Sequence, residues 1–173
     1  MKSPITGKEM ELRTEERTLE FRKEKFTIVH QSWYCKDSKE SFTTAEQDEV
    51  HLNQVYNQYR EKHNLPFPDE IKKTREKYGL AASKMSEILG FGVNTYRNYE
   101  DGEVPADANA KLIQLARQKS VFLELLRLCP SMDESEKEKI LKKMESREKT
   151  FVSDRELVFE PVLTYYKKGE YSG

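Results

Sequence analysis

The chain reads as an α+β protein. It should have a small N-terminal antiparallel β domain with a linking helix, then an all-α domain of five helices with a C-terminal extension, first helical and then extended. Three observations lead there. Apolar and polar residues alternate through LEFRKEKFTIVHQSWYC, the period of a half-buried strand. A proline-bounded break, Asn64-Leu65-Pro66-Phe67-Pro68, follows the first helical pattern. From Asp69 onward short helical patterns are punctuated by Gly79, Gly90 with Gly92, and Gly102 before Pro105.

Taken in order, residues 10–34 read as strand, with Phe21, Phe26, Ile28 and Trp33 as anchors of one buried face. Thr43-x-x-Glu46 supplies a capping signature for a helix reaching about His63. Leu52, Val55, Tyr56 and Tyr59 form the apolar stripe of that helix. The break at 64–68 is the expected boundary between a first domain, 1–64, and a second, 69–128. Helices are expected at about 107–118 and 120–128. Ser131-x-x-Glu134 then caps a charged helix to about Arg147 with Ile140, Leu141 and Met144 on its apolar side. The final TFVSDRELVFEPVLTYYKKGEYSG reads as extended, so that 129–173 forms a dimer or partner arm.

Composition narrows the function. With 36% hydrophobic and 35% charged residues, the chain reads as folded and soluble. It has neither an apolar run of membrane-spanning length nor a charged-then-apolar leader pattern, so the expected location is the cytoplasm and no membrane partner is expected. Cys35 and Cys129 make no disulfide framework. His30, His51 and His63 are scattered, none at a catalytic or metal-ligand spacing from another. No nucleophile–base constellation or phosphate-cradling glycine loop stands out, so no enzyme and no cofactor are expected.

The informative stretch is GLAASKMSEILGFGVNTYRNYEDGEVP. Two short helices with a tight turn let one enter a DNA major groove while the other braces on the backbone. Leu80, Met85, Ile88 and Leu89 supply the apolar contacts of the bracing helix, and Gly90 permits positive φ at the turn. In the next helix Val93, Tyr96 and Glu100 are expected on one side, with Asn94, Arg97, Asn98 and Asp101 on the other. Asparagine can pair bidentately with adenine, and arginine with guanine or phosphate. The candidate DNA-contacting set is Lys84, Asn94, Thr95, Arg97 and Asn98.

The pieces IKKTREKYGL, KMSEILGFGVNTYRNYEDG and P-x-x-x-N-A-K-L-I-Q-L-A resemble the Xre, or phage-repressor, helix-turn-helix family, and more closely the C-terminal domain of MqsA/YgiT-type antitoxins. The resemblance implies that Arg75 pairs with Glu100 as a structural element and that positions 94 and 98 face bases. The family pattern there is asparagine and arginine; here they are Asn94 and Asn98, with Arg97 one residue early. Arg97 therefore reads as a phosphate contact. Ala82 stands where many relatives carry a backbone-bracing glutamine. With Glu100, Asp101, Glu103 and Asp107 nearby, weaker and more salt-sensitive binding is expected than for a basic repressor.

The N-terminus, Met1-Lys2-Ser3-Pro4-Ile5-Thr6-Gly7, with Tyr34-Cys35-Lys36-Asp37-Ser38, resembles the same family's zinc knuckle with three of four thiolates gone. Ser3, Thr6 and Ser38 are poor zinc ligands, so no structural metal is expected. The resemblance covers about residues 1–119. It implies double-stranded DNA as partner, a homodimer on a palindrome, and a cognate toxin engaged through the N-terminal module. The function expected is an antitoxin-like autorepressor. A protein-interaction module with a drifted helix-turn-helix is the alternative, favoured by the net charge of −1, Ala82 and the absent arginine at 98.

Overall fold

The structure, a computed structural model, describes residues 1–159, with side chains for residues 1–147. Strands β1 (Glu11–Phe21), β2 (Glu24–Tyr34) and β3 (Ser41–Phe42) precede helices α1 (Ala45–His63), α2 (Pro68–Tyr78), α3 (Ala82–Ile88), α4 (Thr95–Glu100), α5 (Asp107–Leu115), α6 (Lys119–Leu128) and α7 (Glu134–Phe159). The mixed class and the five helices between residues 68 and 128 match the expectation. The chain forms two compact units, each built from separated segments. One comprises Met1–Ile71 and Arg97–Gln114; the other comprises Lys72–Tyr96 and the chain from Leu115 onward.

In the first unit the sheet is antiparallel in the order β1-β2-β3, with Phe21 opposite Glu24 and Trp33 opposite Phe42. The two-residue hairpin loop is Arg22-Lys23, with φ of 49° and 67°. Positive φ at both central residues matches the right-handed strand twist, and for L side chains it costs about 1–2 kcal/mol each. Neither residue is a glycine, asparagine or aspartate, so no turn signal marks the spot in the sequence. The Arg22 guanidinium holds the loop by donating to the carbonyls of Val104 (2.8 Å) and Pro105 (3.1 Å). Alternation in β2 turns Phe26, Ile28, His30 and Ser32 inward. Phe26 and Ile28 join Val55, Tyr59 and Val104 in the unit's core, with Phe21 against Tyr56 and Tyr59.

Helix α1 covers the edge of β2 that β3 leaves bare. Gln58 donates to the Thr27 carbonyl (2.9 Å), and Gln54 both accepts from and donates to the Val29 backbone (2.8 and 2.9 Å). His51 Nε2 accepts the Gln31 N–H (2.9 Å). These side chains, three and four residues apart on α1, meet alternate residues of the strand and blunt its pairing edge.

The expected cap of α1 is displaced by one residue. Thr44, not Thr43, is the N-cap, in a reciprocal box with Gln47. Both threonines fit the pattern; the one used leaves Glu46 and Asp48 in the first turn, near the positive end of the helix. The inner face of α1 is His51, Val55, Tyr59 and Arg60, whereas Leu52 is exposed. Arg60 is almost wholly buried, donating to Asn57 Oδ1 (3.0 Å) and to the Gly102 carbonyl (2.6 Å).

In the second unit Tyr78 stacks on Phe122 at 3.8 Å and donates to the Ala116 carbonyl at 2.6 Å. Leu80, Met85, Ile88 and Leu89 are all buried. Gly90, at φ 70°, ends the turn after α3, with the Phe91 N–H closing on the Ser86 carbonyl (2.7 Å). Asp133, not Ser131, caps α7, its carboxylate accepting from the Glu136 N–H (2.8 Å). The helix also runs past the expected end near Arg147 to Phe159. No glycine or proline interrupts residues 148–159, and the next breaker is Pro161. The remainder of the expected extended tail, 160–173, lies outside the described residues.

Candidate nucleic-acid interface and N-terminal knuckle

Six residues form α4, and its burial pattern is sharply two-sided. Tyr96 (0% exposed) and Tyr99 (4%) point inward, while Arg97 and Asn98 are exposed. Asn94 is exposed just before the helix, and Thr95, its first residue, is half-buried. Asp101 is exposed as expected, but Val93 is 75% exposed and precedes the helix rather than joining Tyr96 on an apolar side. That place is taken by Tyr99, whose hydroxyl accepts from Asn109 Nδ2 (2.8 Å). The N–H of Tyr96 donates to the hydroxyl of fully buried Ser86 on α3 (3.0 Å). A serine amid Met85 and Ile88 is the faint signal that marks Ser86 in the sequence; the two tyrosines carry a clearer one, three residues apart.

Lys84 lies on α3, half-buried, with Nζ 2.9 Å from Glu87 Oε2 and 3.4 Å from Glu136 Oε1. Hydrogen bonding to Glu87, then to Glu136, raises its pKa and keeps it an ammonium. Arg75 is half-buried on α2 and donates to the Leu80 carbonyl (2.8 Å); Glu100 is the half-buried last residue of α4.

Charge is divided between the units. Residues 72–96 and 115–173 carry seventeen Lys and Arg against thirteen Asp and Glu, whereas residues 1–71 and 97–114 carry thirteen against eighteen. The near-neutral total therefore hides a basic unit and an acidic one, which matters because phosphate affinity follows local charge.

Ser3, Thr6 and Cys35 do meet at the N-terminal knuckle. Ser3 Oγ accepts from the N–H groups of Ile5 and Thr6 (3.3 Å each), and Thr6 Oγ1 lies 3.3 Å from Cys35 Sγ. Cys35 is 1% exposed. The backbone N–H of Ser38, followed by the hydroxyls of Ser38, Thr6 and Ser3, pulls its thiol down to about 6. One thiolate with three neutral hydroxyls does not fit zinc, which selects charged thiolate and imidazole sets. Among the described residues, no group of three or more His, Cys, Asp or Glu side chains is placed to hold a metal.

Two of the histidines that look scattered in sequence are brought together. His30 and His51, both buried, stack with ring centroids 4.3 Å apart because α1 lies along β2. His51 Nε2 is an acceptor, and His30 Nε2 faces Arg17 Nη1 at 3.3 Å. His30 Nδ1 is buried without a hydrogen-bond partner, 3.9 Å from Glu15. The third, His63, is exposed and bonded to Glu24 (2.7 Å). No helix among the described residues is long and apolar enough to cross a membrane.

The family described as the antitoxin component of bacterial toxin-antitoxin systems, MqsA, matches residues 1–127. Antitoxin MqsA of Escherichia coli (strain K12) is 31% identical over 97 residues, covering 54% of this chain and 73% of its own length.

Proposed function

Because the chain belongs to the MqsA antitoxin family, we propose that it is a cytoplasmic, dimeric antitoxin that represses its own promoter through a helix-turn-helix formed by α3 and α4. The observation that carries this reading is the two-sided α4. Buried Tyr96 and Tyr99 fix the helix, and Asn94, Arg97 and Asn98 are left exposed in consecutive turns of chain. Asn94 is the base reader, suited to adenine N6 and N7, and Arg97 contacts phosphate. Asn98 takes a second base position, and Lys84 and Thr95 serve the backbone. A two-fold dimer would present two such helices about 34–36 Å apart, one duplex turn. The acidic N-terminal unit suits a basic toxin, by charge complementarity.

Gel shifts with duplex from upstream of the gene test the DNA reading. The expected result is a clear preference over random duplex, with Asn94→Ala losing about 5- to 150-fold in affinity. Lys84→Ala should weaken every duplex alike and lower the salt slope by about one. Equal affinity for random DNA, together with no effect of Asn94→Ala, defeats the reading. In that case the chain is an interaction module, and co-purification with the product of the neighbouring gene measures that activity directly.

A further inference from the structure

The chain beyond the family-matched residues 1–127 returns to α3. Ser131 Oγ donates to Glu87 Oε1 (2.7 Å), and the Cys129 thiol reaches the Glu87 carbonyl (3.6 Å). Met132, Ile140 and Met144 are buried, and Lys137 Nζ donates to the Arg127 carbonyl (3.0 Å). At the other end of this segment Arg147 lies so close to Gly79 that a Cβ there would meet its Nη1 at 2.5 Å. Residues 129–147 are thus held along their length, and they carry Glu136 to the ammonium of Lys84.

Of the two carboxylates around Lys84, Glu87 belongs to the same helix and travels with it wherever α3 goes. Glu136 comes from α7, outside the family-matched residues. We propose that α7 acts as a built-in competitor for DNA, its Glu136 carboxylate occupying the lysine that would otherwise bind a backbone phosphate. The inference rests on the DNA-binding reading above. A phosphate oxygen approaching Lys84 meets a second anion already in place. It must displace that anion or tolerate its repulsion. The pair is partly solvated, with side chains 38% and 43% exposed, so the competition tunes affinity rather than abolishing binding.

Fluorescence anisotropy with a labelled duplex from upstream of the gene, using the full chain, provides the test. Wild type, Glu136→Gln, Lys84→Ala and the double variant are compared, with Glu138→Gln as a control on the same helix. Circular dichroism verifies that each is folded. Glu136→Gln should tighten binding about two- to fivefold. That gain should vanish in the Lys84→Ala background and be absent in Glu138→Gln. An unchanged affinity for Glu136→Gln overturns the proposal and leaves the DNA reading standing. So does an equal gain with Lys84 removed, or an equal gain in Glu138→Gln, since either would be a general charge effect. If neither wild type nor Glu136→Gln binds duplex, the DNA reading falls and this inference falls with it.

Discussion

At the scale of single residues, Cys35 and His30 give the folded state a defined pH profile. The Cys35 thiol titrates near 6 when folded against 9.0 for an unperturbed thiol. Its contribution to stability is complete above pH 9 and is lost as pH falls through about 6. For His30, burial, then Arg17, then His51 depress protonation below the ordinary 6.5. The unfolded chain therefore takes up that proton more readily. The His30 contribution is whole above about pH 6.5 and declines as pH drops toward the lower folded value. Denaturant titrations should show unfolding free energy rising between pH 6 and 9, and Cys35→Ser should flatten that rise. His30→Phe, which keeps a ring against His51, should flatten the acid limb. In a Cys129→Ser background the thiolate absorbance should develop around pH 6, and a midpoint near 9 would refute the hydroxyl-nest account of Cys35.

At the scale of elements, two arginines fix the loop that follows α4. Arg22 from the hairpin binds the carbonyls of Val104 and Pro105, and Arg60 from α1 binds that of Gly102. Arg60→Met keeps the stem but strands the Gly102 carbonyl and Asn57. It should destabilise the fold by about 1–3 kcal/mol in chemical denaturation. A neutral result would mean that the desolvation of the guanidinium, whose Nε is buried without a hydrogen-bond partner, offsets those bonds. This clamp was invisible in sequence because its partners lie 42 and 82 residues apart or more. The same holds for the His30–His51 stack and for Glu136 on Lys84. Local signals served better. Gly79, Gly90 and Gly102 each take positive φ where a helix had to stop, and Asn64 ends α1 in the left-handed region just ahead of the prolines. Where two local signals competed, as with Thr43 and Thr44, pattern alone had no means of choosing. Of the candidate interface, the outward residues of α4 were legible from helical spacing, and the i, i+3 spacing of Tyr96 and Tyr99 carries its inner face, whereas Ser86 needed the packing.

At the scale of the whole molecule, the first unit needs residues 97–114 to complete its core, since Val104 packs with Phe26, Ile28, Val55 and Tyr59. A fragment of residues 1–71 lacks Val104 and leaves buried Arg60 without the Gly102 carbonyl. It should give a collapsed amide proton spectrum, whereas the full chain gives a dispersed one; good dispersion from 1–71 would show the sheet and α1 to be self-sufficient. The two-segment architecture also has a consequence for biosynthesis. A ribosome releases the chain in order, and 43 residues separate Ile71 from Gln114. At roughly 5–20 residues per second, the hairpin and α1 wait about 2–9 s for the segment that closes over them. Through that interval Phe26, Ile28 and Tyr59 are accessible to chaperones and proteases, so the nascent protein has a window of vulnerability that the finished one closes.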